Sequence, residues 1–143
     1  MNWWQTLIVA LSTYVVTKVI DFVISIISEK REFKKFRREK IYNEIEELKN
    51  EIGKLYELAA NWKAFEEKQK SYLTNFENDH ELIGKYNKYP NIANTARDTV
   101  HWCRIVASSE MRQTDNLIEN KKELGGKYGL FLQACDEYLN NLI

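Results

Sequence analysis

The residues equipped for chemistry are few. His80 and His101 are the two histidines, the groups best suited to proton transfer near neutral pH. His80 follows Asn78-Asp79 in a turn-like stretch, where it is expected to be solvated. His101 lies one helical turn after Arg97 in Arg97-Asp98-Thr99-Val100-His101, so a cation and an acid–base group can share one helix face. Tyr86, Tyr89 and Trp102, with Arg97 and Arg104, could line a small-ligand pocket, although aromatics and arginines at helical spacing also make ordinary core and rim. Cys103 and Cys135 lack metal-ligand spacing and are expected to be buried free thiols in a reducing compartment. No Gly-rich phosphate loop, His-Glu-x-x-His, Cys-x-x-Cys or Gly-x-Ser-x-Gly is present. These features imply no metal, no cofactor and no enzyme.

The Arg97–His101 stretch resembles the motif of HEPN-type helical RNases, in which an Arg beside a polar residue is followed, usually after four to six residues, by a His. The likeness covers five residues, and the intervening spacing is three, one short of that pattern. It implies acid–base RNA cleavage by Arg97 and His101 at a site built by two subunits. The bottom-up alternative is surface residues, with His101 packed near Trp102.

The chain is organised by residues 3–27, WWQTLIVALSTYVVTKVIDFVISII. This stretch carries no charge before Lys18 and returns to apolar residues after Asp21. About 20 mostly apolar residues in a helix cross a hydrocarbon core roughly 30 Å thick. A cleaved signal peptide is disfavoured, because nothing basic precedes Trp3, the apolar run is long and no Ala-x-Ala pattern follows. Trp3 and Trp4 suit one membrane boundary. The polar residues Tyr14, Thr17, Lys18, Asp21 and Ser25 recur at three- and four-residue steps and form one face. Lys18 and Asp21 are spaced to pair within the helix, or to meet other helices.

Overall charge is balanced, 21 basic against 21 acidic residues, so no global field favours nucleic acid. The local distribution is uneven. Lys30, Arg31, Lys34, Lys35, Arg37 and Arg38 follow the apolar stretch with Phe33 and Phe36 among them. Basic residues stay on the cytoplasmic side, so the N-terminus is expected outside and the remainder inside the cell (inner) membrane. The same residues can lie against anionic headgroups, each worth about 1 kcal/mol near such a surface.

From Ile41 the apolar positions Ile41, Ile45, Leu48, Ile52, Leu55, Ala59 and Trp62 step 4-3-4-3-4-3. This is a heptad seam whose β-branched a and leucine-rich d positions lean toward a parallel pair. The alternative is a helix packed inside its own domain, which Leu58, Phe65, Tyr72, Leu73 and Phe76 favour by broadening the stripe. Residues 78–90 should carry a break ending at Pro90, the one proline. A helix capped by Asn91 should then run to about Ala107, with Ile92, Ala96, Val100, Cys103 and Val106 on one side. Gly125-Gly126 offers a break before a last helix over 127–142.

The expected fold is an all-α membrane protein: an anchor over 1–28, a basic juxtamembrane segment over 29–40, and a cytosolic helical or coiled-coil domain over 41–143. The expected function is a single-pass, membrane-tethered, non-enzymatic interaction module that self-associates, its partners being the bilayer, other copies, and a protein or small ligand at the bundle. The overall shape is similar to that of many small bacterial membrane proteins, some linked to phage conflict. The alternative is therefore an oligomeric membrane-perturbing effector with the bundle as sensor.

Overall fold

The computed structural model describes residues 2–76 and 82–142. His80 and the Asn78-Asp79 turn lie outside the described residues. The described residues form four α-helices, two short 3-10 turns and no strand. Helix α1 is Trp3–Ala60, α2 is Glu67–Thr74, α3 is Pro90–Arg112 and α4 is Leu117–Asn141. The chain divides into two compact units, Met1–Ile41 and Tyr42–Ile143, with α1 contributing to both.

In the first unit, residues 3–40 are helical and every one of them is exposed. This segment lacks proline and glycine, so nothing interrupts its backbone ladder. Thr13 and Thr17 fold their hydroxyls onto the carbonyls of Val9 and Thr13, each at 2.8 Å, so neither leaves an unmade bond on the helix surface. Helix α1 is the one described helix long and apolar enough to cross a membrane.

The second unit is a helical bundle in which residues 42–60 of α1 take part. Ile45, Leu48, Ile52, Leu55 and Ala59 are all fully buried, and Trp62 nearly so. The expected intermolecular seam is therefore core within one chain, and only Ile41, at the junction of the units, is half-buried. The physical reason is the breadth of the stripe. Leu58 and Leu73 are also buried, and a stripe wider than two positions per heptad fits several neighbours better than one. Helix α1 stops where the Asn61 side chain turns back to the Glu57 carbonyl at 3.4 Å and Trp62 enters the core.

Helix α2 begins where the Glu66 backbone N–H donates to the Gln69 side chain at 3.1 Å. Helix α3 starts with Pro90 at its first position rather than with an Asn91 cap, because proline's fixed φ and missing N–H suit that place. It also runs past Ala107, to Arg112. There Gln113 adopts a left-handed conformation (φ 51°), and the Thr114 N–H reaches back to the Ser109 carbonyl at 3.2 Å.

Gly125 and Gly126 do not break α4, which is continuous from Leu117 to Asn141. Both keep negative φ, and Leu124, Phe131 and Cys135 on the same helix are buried. Burial of that face is worth more than the roughly 1 kcal/mol that each glycine costs in a helix. Helices α3 and α4 pair extensively, and Ile92, Ala96, Val100, Cys103 and Val106 of α3 are buried.

Candidate functional surfaces

The polar residues of the apolar stretch lie on the surface of α1. Tyr14, Thr17, Lys18, Asp21 and Ser25 are all exposed on α1. Of the two arrangements the spacing allows, pairing of Lys18 with Asp21 within the helix is not made. Lys18 Nζ lies 5.6 Å from the centre of the Tyr14 ring, and Asp21 has no hydrogen bond or ion pair among the described residues. Side chains on a helix lean toward its N-terminus, which carries Lys18 back over Tyr14 and away from Asp21.

Lys30, Arg31, Lys34, Lys35, Arg37 and Arg38 are likewise exposed, and none has an ion-pair partner among the described residues. Phe33 and Phe36 lie among them, each about two-thirds exposed (66% and 65%). Cations with long apolar stems beside exposed aromatic rings form a surface that can enter a lipid interface, the rings in the acyl boundary and the charges at the headgroups.

In the bundle, Arg97 is held by the side chains of Asn87 and Asn94, whereas His101 is exposed with its ring edge-on to Trp102 at 6.4 Å. Arg104 donates to the Phe76 carbonyl. Tyr86 is buried and donates its hydroxyl to the Glu44 carbonyl at 2.7 Å; desolvation and the nearby carboxylates push its pKa up to about 12. Tyr89 packs against Tyr138, ring centres 4.6 Å apart, with the Lys88 ammonium 5.2 Å from the Tyr89 ring centre.

Two shallow recesses result. One, of about 170 Å³, is lined by Tyr89, Tyr138, Ala134 and Glu137 among others. The other, of about 210 Å³, lies between Glu44, Glu47, Lys85, Tyr86 and Lys88. Arg97, Trp102 and Arg104 line neither of these two recesses. Among the described residues no group of three His, Cys, Asp or Glu side chains could hold a metal ion.

Sequence reasoning missed Glu110, the one carboxylate buried among the described residues. Its Oε1 meets Lys121 Nζ at 2.8 Å, while its Oε2 has no hydrogen-bond donor and Lys63 Nζ stands 3.8 Å away. Glu110 falls in a polar run of sequence, and only the tertiary approach of residue 63 and the start of α4 buries it. Comparison with protein-family models, curated proteins and solved structures gave no match to this chain.

Proposed function

We propose that the chain is a single-pass, membrane-tethered, non-enzymatic interaction module. Residues 3–27 span the bilayer, the basic segment lies at its cytoplasmic surface, and the bundle is presented in the cytoplasm to a protein or small-ligand partner. The observation that carries this reading is the N-terminal helix: a largely apolar surface exposed from Trp3 to Ile27, followed by cations with no ion-pair partner among the described residues. Soluble monomers rarely expose contiguous apolar surface on that scale, whereas a bilayer accepts it. The position of the cations supports the orientation. Self-association belongs to this reading through the anchor rather than the heptad seam, because the seam residues are core.

The test is fractionation of cells expressing the full chain, with a reporter of cytoplasmic or external location fused to the C-terminus. Recovery in the membrane pellet after alkaline carbonate extraction, with the reporter active only in its cytoplasmic form, is the expected result. Release into the carbonate supernatant would remove the anchor, and an externally active reporter would reverse the orientation.

A second reading, a membrane-perturbing oligomer, is favoured by one observation: Lys18 and Asp21 stand exposed and unpaired on an apolar helix. Lining a polar centre would require more than two copies. Dye leakage from vesicles, lost in Lys18→Leu with Asp21→Leu, is its measurement.

A further inference from the structure

Lys18 and Asp21 carry opposite charges one helical turn apart on one face, yet they do not engage each other. Both lie well inside the apolar stretch. Lys18 is roughly 13 Å from the cytoplasmic end of the span at 1.5 Å per residue, farther than its side chain can fully snorkel. Charges at such depth ordinarily meet protein or water rather than lipid. Tyr14 shields one side of the ammonium with its ring, and the Asp21 carboxylate has no partner among the described residues. The thirteen- and seventeen-position hydroxyls on the same side are already bonded to the backbone and cannot supply one.

We propose that the partner of this face is a second, parallel copy of the chain, with Lys18 of each copy pairing with the partner's Asp21. Charge complementarity under symmetry selects this partner. A two-fold axis along two parallel helices puts like positions at the same depth, so each Lys18 reaches the partner's Asp21 diagonally, across an axial offset of about 4.5 Å at 1.5 Å per residue, and the contact is made twice. An antiparallel pair would require the two copies to be inserted in opposite senses. The proposal rests on residues 3–27 spanning the bilayer and on self-association through that span, and it assigns the geometry and the side-chain contact that the functional reading leaves open.

The experiment separates pairing between copies from pairing within one helix. Full-length chains labelled as energy-transfer donor and acceptor are reconstituted in phosphatidylcholine vesicles as wild type, as Lys18→Leu, as Asp21→Leu, and as a mixture of the two variants. Neither variant alone can form either pair between copies, whereas a mixed dimer keeps one, made by the Lys18 of one variant and the Asp21 of the other. Self-association of each variant should fall by roughly tenfold from wild type, and the mixture should recover a substantial part. Wild type that is monomeric in the bilayer, or a mixture no better than its components, would overturn the proposal. Carbonate extraction of the same samples keeps the two claims apart. Wild type that fails to stay in the membrane defeats the anchor itself, whereas inserted but unassociated protein defeats only the pairing.

Discussion

The ring of Tyr128 on α4 lies almost flat on that of Tyr56 on α1, centres 4.3 Å apart and planes 12° from parallel. The Tyr128 hydroxyl stands 3.2 Å from the place that a β-carbon on Gly53 would occupy. The glycine thus makes room for the tyrosine, and the stacked partner limits how far the ring can move aside. In Gly53→Ala the helix-propensity gain of about 1 kcal/mol is expected to be cancelled by this contact, leaving stability near neutral. In a Tyr128→Phe background, where the hydroxyl is gone, the same alanine should stabilise by about 0.5–1 kcal/mol. Urea unfolding of the four proteins of this cycle measures the coupling, and strict additivity would count against the steric account.

Because the seam residues are core, the bundle should not need a second copy in order to fold. A fragment covering residues 42–143 is expected to be helical, with a melting temperature independent of concentration between micromolar and hundreds of micromolar. Ile52→Ala should destabilise it by about 2–4 kcal/mol, since Ile52 is fully buried and its loss leaves a cavity. A melting temperature that rises with concentration would return the seam to an interface between chains.

The helical class, the long apolar helix at the N-terminal end, and the inner face of α3 were legible in the sequence because each is a pattern of local origin. Ile92, Ala96, Val100, Cys103 and Val106 share one side by spacing alone, and all are buried. What periodicity could not decide was the identity of the covering surface. Ile45, Leu48, Ile52 and Leu55 read equally well as a coiled-coil seam or a bundle face, and the choice lies with residues distant in sequence, such as Tyr128, whose ring stacks on Tyr56 of the same helix. The same limit hid Glu110, whose burial depends on an approach by Lys121 that no local pattern records. Gly125-Gly126 misled in the other direction, because a weak local preference for a break yields to the packing of the residues around it.

Cys103 and Cys135 are both fully buried, and desolvation pushes each thiol up to about 12 from an ordinary value of 9.0. At pH 8 a thiol reagent should therefore label them only as fast as the bundle opens, and far faster in denaturant. The linkage has a definite sign. A raised folded-state value means the neutral thiols' contribution is fully present below pH 9 and lost as pH rises toward 12. Urea midpoints should stay flat with respect to these groups from pH 7 to 9 and then decline. Cys103→Ala with Cys135→Ala should shallow that alkaline decline.

Tyr72 donates its hydroxyl to the Glu51 carboxylate. This bond is the largest influence holding the Glu51 pKa below 4.5, and burial with the same bond pushes Tyr72 up to about 12. A depressed carboxyl contributes stability above pH 4.5 that is lost as pH falls through its folded value, and a raised phenol contributes stability lost as pH rises from 10 toward 12. Tyr72→Phe is expected to cost about 1 kcal/mol at neutral pH. The gap to wild type should narrow at both extremes of a pH titration of unfolding. A gap that stays constant would mean the loss is packing and not the bond.

Glu110 makes unequal use of its two lysines. Lys121 Nζ sits at hydrogen-bond distance, 2.8 Å from Oε1, while Lys63 Nζ is 3.8 Å from Oε2 on a side chain that is three-quarters exposed (75%). Removing the first leaves a buried carboxylate with only a distant, screened charge for company, and removing the second takes away little. Lys121→Met is expected to destabilise the bundle by about 1–2 kcal/mol, discounted for the partial exposure of that lysine. Lys63→Met should fall within about 0.5 kcal/mol of wild type. Replacing the acid itself by Gln keeps the shape and removes the charge, so Glu110→Gln in the Lys121→Met background should recover part of the loss. If Glu110→Gln deepens the loss instead, Glu110 is held by something other than these two ammonium groups.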